Sequence, residues 1–118
     1  MRIKFTHNGE TAYALLDNNP AAIQFYKQLP LTLNMEDFAA AEKIATLPKP
    51  LSQQGLSAGT DAKAGDITYY APWGNLALFY KNAGYANGLI KLGAIEQTPQ
   101  FFKHIEQGKV LIEADWKH

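Results

Sequence analysis

Six aromatic residues crowd into the stretch from 69 to 85: Tyr69, Tyr70, Trp73, Phe79, Tyr80 and Tyr85. Tyrosine and tryptophan join a broad apolar face to a polar tip, which suits a pocket for a small molecule or an extended peptide. The plainer reading is that they fill and rim a core, and it carries the greater weight because aromatics dominate packing in any small domain. Trp73 and Tyr85 fall on expected loops, where binding residues concentrate, so they lead as candidates, with Tyr70, Phe79 and Tyr80 beside them. Glu42, followed by Lys43, offers a carboxylate that could anchor a ligand or act as a base. Against that stands a solvated pair on a helical turn, since exposed charges argue weakly for function.

Other chemistries find little support. His7, His104 and His118 show no metal-ligand spacing and read as surface histidines. Asp66 is expected to hydrogen-bond the loop before its strand rather than to catalyse. There is no Gly-x-Gly-x-x-Gly fingerprint and no serine elbow, the serines being Ser52 and Ser57 in a polar stretch. With no cysteine, thiolate chemistry and a disulfide framework are excluded. Neither a cofactor nor a metal is expected.

The elements that must hold these residues are mostly strands. Ile3 and Phe5 alternate with Lys4 and Thr6, Asn8-Gly9 is the turn pair of a type I′ hairpin, and Thr11 to Leu16 returns. Asn19-Pro20 opens an amphipathic helix over roughly 19–28 that Leu29-Pro30 ends. Leu31 to Met35 is a strand. Residues 36–47 stay open: their Ala, Glu and Lys content favours a helix, and a strand to Phe38 followed by a helical turn at 40–44 fits equally. Leu51 to Lys63 reads as a long polar surface loop. Ile67–Tyr70, the apolar run Leu76–Tyr80, Gly88–Glu96 and Val110–Ala114 are strands. The Leu76–Tyr80 run implies burial on both faces. Ala71 to Gly74 is a turn, Ala83 to Asn87 a loop, and Thr98-Pro99 opens a short helix through Phe102 and Ile105. About eight strands and two short helices result, and closure into a barrel would remove the exposed edges.

The 118 residues suit one domain spanning the chain, large enough to fold on a single core. Eleven basic and eleven acidic side chains balance, which argues against nucleic acid as a partner. No apolar run approaches the ~20 residues of a spanning helix, and the first ten residues hold no signal-like stretch. The expectation is a soluble cytoplasmic protein, off the membrane, monomeric or homodimeric; an exported mature form stays open.

Gly65-Asp66-Ile67-Thr68-Tyr69-Tyr70-Ala71-Pro72-Trp73-Gly74, the following Leu76–Tyr80 strand, and Gly88-Leu89-Ile90-Lys91-Leu92-Gly93 resemble the small bacterial and archaeal cyclophilin-like family. The helix ending in Leu29-Pro30-Leu31, the Glu36-Asp37-Phe38 step, Glu42-Lys43-Ile44 and Leu47-Pro48 extend the resemblance over nearly the whole chain. It implies a mainly β fold, a closed eight-stranded cyclophilin-like barrel with two short helices. It does not imply prolyl isomerase activity. True cyclophilins use a pocket arginine to favour the twisted amide over the planar one, against a barrier of about 18–20 kcal/mol. Arg2, on the first strand, is the sole arginine here, and lysine lacks its planar fork of donors. The expected function is therefore a non-catalytic binding module for a small molecule or extended peptide in an aromatic cleft. A weak isomerase and an oligomer-forming structural domain are the alternatives.

Overall fold

Ile3, Phe5 and His7 face one side of the first strand and are buried, while the residues between them are half-buried. That two-residue period recurs around a closed wall. A computed structural model describes residues 1–52, 58–106 and 108–115. In chain order the elements are β1 (Arg2–His7), β2 (Glu10–Leu16), α1 (Pro20–Lys27), β3 (Leu31–Phe38), β4 (Glu42–Thr46), β5 (Gly59–Ala62), β6 (Asp66–Tyr70), β7 (Asn75–Phe79), β8 (Gly84–Asn87), β9 (Leu89–Ile95), α2 (Gln100–Lys103) and β10 (Gly108–Ala114). Eight strands close in the order β1-β10-β3-β4-β7-β6-β9-β2, every pair antiparallel. The expected eight-stranded barrel with two helices is therefore the fold. β5 and β8 form a separate two-stranded ribbon.

The local signals act as their chemistry requires. Asn8 and Gly9 both have positive φ, and β1 pairs with β2 from Arg2↔Leu15 to His7↔Glu10. The Asn19 side chain accepts from the N–H of Ala22 at 2.9 Å, and its amide donates to the Lys91 carbonyl at 3.1 Å, so the cap also ties α1 to β9. The Leu29–Pro30 peptide, in the cis form, follows α1 and leads into β3.

Inside the barrel, Phe5, Phe25, Ile67, Tyr69, Leu76 and Leu78 are fully buried. Phe102 of α2 meets Phe5 edge-on at 5.5 Å, and Phe25 brings α1 into the same core. A second apolar cluster of Ala62, Ala77, Phe79 and Leu89, with Ile44, Tyr70 and Ala86 against it, forms where the ribbon covers the outside of the wall. β7 is thus buried on both faces, as its apolar run implies: Leu76 and Leu78 face the barrel core, Ala77 and Phe79 the ribbon.

Three segments differ from the sequence reading. Residues 36–47 contain no helix and no helical turn: β3 runs to Phe38, a three-residue turn follows, and β4 pairs with both β3 and β7. The helix-favouring composition yields to cross-strand pairing, which satisfies the backbone from both sides. The expected loop 51–63 contains β5, and Leu51 is buried; residues 53–57, Ser57 among them, lie outside the described residues. The expected loop 83–87 contains β8, paired with β5 from Gly59↔Asn87 to Ala62↔Gly84.

Candidate functional site

The ribbon and the barrel wall enclose a pocket of about 300 Å³. Its aromatic side is Phe38, Tyr70, Trp73 and Phe79, its carboxylate is Glu42, and Leu89 closes the apolar floor. Small residues of the ribbon and its approach, Ala62, Ala83, Gly84 and Ala86, make up the remainder.

Each aromatic is placed by strand alternation or by a turn. Phe38 and Glu42 are directly paired across the β3–β4 hairpin and share a face. Phe79 is the β7 partner of Glu42, and Tyr70 lies opposite Leu89 on β9. Trp73 sits in the β6–β7 turn, where the N–H of Gly74 donates to Tyr70 O at 2.9 Å. Pro72 of that turn packs on Gly88 so closely that a Cβ there would lie 2.8 Å from the proline ring, and Ala71 N donates to Gly88 O at 2.8 Å. The turn is therefore held against β9 and projects the indole outward. Trp73 remains 57% exposed and Phe38 41% exposed. Trp73 meets Phe38 edge-on at 5.5 Å and Tyr70 edge-on at 5.2 Å, giving rings set nearly at right angles around the mouth.

The hairpin that carries Phe38 and Glu42 has an unusual tip. Ala39 and Ala40 adopt φ of +56° and +51°, a region that disfavours side chains with a Cβ. Asp37 steadies it by accepting from Ala40 N at 3.1 Å, and the β7 end is joined by Tyr80 N donating to Ala41 O at 2.9 Å.

Behind the pocket wall lies a polar group with the opposite orientation. Lys43 and Asp37 are a cross-strand pair, and the Lys43 ammonium stands 3.3 Å from Asp37 and 5.8 Å from the centre of the Tyr80 ring. Tyr80 donates its hydroxyl to Asp37 at 2.5 Å. That bond, ahead of Lys43, holds the Asp37 carboxyl below the usual aspartate range. Burial, reinforced by Asp37, pushes the Tyr80 phenol up to about 12. Glu42, on the pocket face, has no hydrogen bond or ion pair among the described residues, and its carboxyl is raised by burial and then by the Asp37 charge.

Of the six residues that the sequence singles out, Tyr70, Trp73, Phe79 and Glu42 line the pocket together. Tyr80 does not, because it follows Phe79 and so faces the barrel interior. Tyr85 does not either: Gly84 and Ala86 face the pocket, and Tyr85 stands on the other side of the ribbon over Gly59, 62% exposed. Glu42 and Lys43 do not sit on a helical turn; they occupy opposite faces of β4. Phe38 and Leu89 escape the sequence reading. A signal for Phe38 exists: Leu33 and Met35 alternate inward, yet the next inward position is Asp37 and the outward one is apolar Phe38. His7 is not on the surface but buried, with Nδ1 3.2 Å from the Lys109 carbonyl oxygen, because the β1 alternation carries it inward. His104 is exposed, and His118 lies outside the described residues. Asp66 accepts from Lys63 N at 2.9 Å, the expected loop bond. No group of three or more His, Asp or Glu among the described residues is placed to hold a metal ion. No described helix is long and apolar enough to cross a membrane.

A model of the cyclophilin-like family matches residues 5–114. The chain belongs to the cyclophilin-like family. Among solved structures, this cyclophilin-like chain is similar to the hypothetical protein AF2241 of Archaeoglobus fulgidus, with a TM-score of 0.75. The two are 16% identical over 98% of this chain and 95% of that one, so the likeness is one of fold. A comparison with curated proteins returns no match. In this member of the family, Arg2 is engaged by acids outside the pocket: its guanidinium meets Glu96 at 2.9 Å and Asp115 at 2.8 Å, and covers the Tyr13 ring at 4.2 Å.

Proposed function

We propose that the chain is a non-catalytic binding domain that takes a small molecule, or one side chain of an extended peptide, in the pocket between barrel and ribbon. The pocket itself carries the reading: about 300 Å³ of concave, largely aromatic surface with one carboxylate on its wall. Pockets for small ligands have this make-up, apolar and aromatic with few polar groups that fix orientation. Its volume lies at the small end of the usual range of roughly 300–1,000 Å³. A titratable group raised by burial in a cleft, as Glu42 is, also marks functional sites more often than bare surface. A cytoplasmic location goes with this reading, and fractionation of cells that produce the protein tests it.

A thermal-shift screen of a small-molecule and peptide library, followed by tryptophan emission, tests the proposal. Hits should raise the melting temperature and move the emission of the wild type but not of Trp73→Phe, the control for Trp116. A screen that leaves both signals flat removes the reading. The exposed rims of Phe38, Trp73 and Tyr85 support a second reading, an interface with another copy of the chain. A monomeric mass by sedimentation equilibrium removes it. For isomerase activity, the pocket lacks the arginine fork that favours a twisted amide, the sole arginine, Arg2, being held by Glu96 and Asp115. A coupled peptide assay is expected to show no acceleration.

A further inference from the structure

The chemical class of the ligand follows from the charge of the pocket. This step rests on the binding reading above and narrows it. Among the described residues, Glu42 is the one charged residue lining the pocket, and it has no counter-charge or hydrogen bond there. Lys43 does not neutralise it, because it occupies the other face of β4 and stands 3.3 Å from Asp37. A neutral ligand that brings no donor to Glu42 would strip water from an unpaired carboxylate, one that brings a donor would leave its charge unbalanced, and an anion would add repulsion. A cation answers all three. Around the same mouth, the Trp73 ring stands at 84° to Phe38 and 86° to Tyr70, at centroid distances of 5.5 and 5.2 Å. Rings set at right angles present electron-rich faces from more than one side to a group seated among them.

We infer that the pocket binds an organic cation, an alkylated ammonium, with its charge between the Glu42 carboxylate and the faces of Trp73, Tyr70 and Phe38. Alkylation matters because a free ammonium carries three donors, and a lining of rings, alanines and a leucine offers few acceptors. A methylated ammonium spreads its charge over carbon-bound hydrogens and needs only the carboxylate and the rings. The volume, about 300 Å³, suits such a head group with a short tail, whether free or on a modified side chain.

Choline and 3,3-dimethyl-1-butanol test this, since they share one shape and differ in charge. Titration of the wild type, followed by tryptophan emission and by chemical-shift changes at the Trp73 indole, should give choline about a tenfold lower Kd. Glu42→Gln, checked for an intact melting transition, should bring the two constants to within roughly twofold of each other. Equal binding of the neutral alcohol overturns the cation assignment and leaves the pocket reading standing. Loss of selectivity in Trp73→Leu with unchanged selectivity in Glu42→Gln overturns the role of the carboxylate. No response to choline, while the library screen yields neutral hits, also overturns the assignment alone. Failure of choline together with a flat screen removes both readings.

Discussion

Tyr80 and Glu42, two side chains that flank the same piece of sheet, titrate in instructive ways. The Tyr80 phenol bonds Asp37 and stays protonated to about pH 12, against an ordinary value of 10.0. Its folded value is raised, so the stability it contributes is present below pH 10.0 and is lost as pH rises towards about 12. Asp37 is lowered, so its contribution is present above 3.8 and disappears as pH falls through its folded value. Tyr80→Phe should cost about 1 kcal/mol in urea denaturation, since Asp37 keeps Lys43 and Ala40 N as partners. Of the six tyrosines, the one ionising near pH 12 in an absorbance titration should vanish in that variant. Glu42 runs opposite to Asp37 and in the same sense as Tyr80. Its carboxyl is raised because burial penalises the charge, so the ionised form opposes folding. Stability linked to Glu42 is highest at acid pH and falls as pH rises from 4.5 through its folded value. Glu42→Gln should therefore raise the melting temperature at neutral pH while weakening cation binding. A lower melting temperature in that variant would count against an unpaired Glu42. Trading stability for a charged site is what binding function commonly requires.

The β3–β4 hairpin is the element on which the pocket depends. It brings Phe38 and Glu42 to the mouth through a turn with two alanines in the left-handed region. Each such residue costs roughly 1–2 kcal/mol relative to glycine's freedom there, and glycine gives back about 0.5–1 kcal/mol through the unfolded chain. Ala39→Gly with Ala40→Gly should raise the urea midpoint, by about 1 kcal/mol in free energy. A lowered midpoint would show that the turn is relaxed. Local sequence could not decide this element, because Ala-Ala-Ala-Glu-Lys is as good a helix as a hairpin. Pairing of β4 with β7 settles it. The ribbon was hidden for a related reason: Gly59–Ala62 and Gly84–Asn87 carry almost no β-branched residues and no clean alternation. They become strands only because they find each other above Phe79 and Leu89.

At the scale of the whole barrel, closure depends on the seam between β2 and β9, which is only three residue pairs long. Gly93 lies in it, and a Cβ there would stand 2.2 Å from the Leu15 carbonyl oxygen and 2.8 Å from Leu16 Cα. Both obstacles are backbone and neither can swing aside. Gly93→Ala should therefore destabilise the protein by about 1–3 kcal/mol, read as a lowered denaturant midpoint with an unchanged slope. Arg2 clasps the same region by joining β1 to Glu96, just past β9, and to Asp115, just past β10. Arg2→Ala should lower the melting temperature, more at low salt than at high, and leave the choline response unchanged. A changed choline response would tie Arg2 to the pocket after all.

The strand-rich plan, the Asn8-Gly9 hairpin, the capped first helix and the double burial of β7 are legible in the chain alone, because each is written in period, turn chemistry or composition within a few residues. The family resemblance, which rests on motifs spread over most of the chain, points to the barrel that the structure has. The aromatic content of residues 69–85 brings Tyr70, Trp73 and Phe79 to notice as a group. The assembled barrel settles which face each side chain uses. It sent Tyr80 inward and Phe79 outward, set Glu42 apart from Lys43, and added Phe38 from another strand. The reason is that a pocket forms where distant strands meet, and the contacts between strands are not encoded within any one of them.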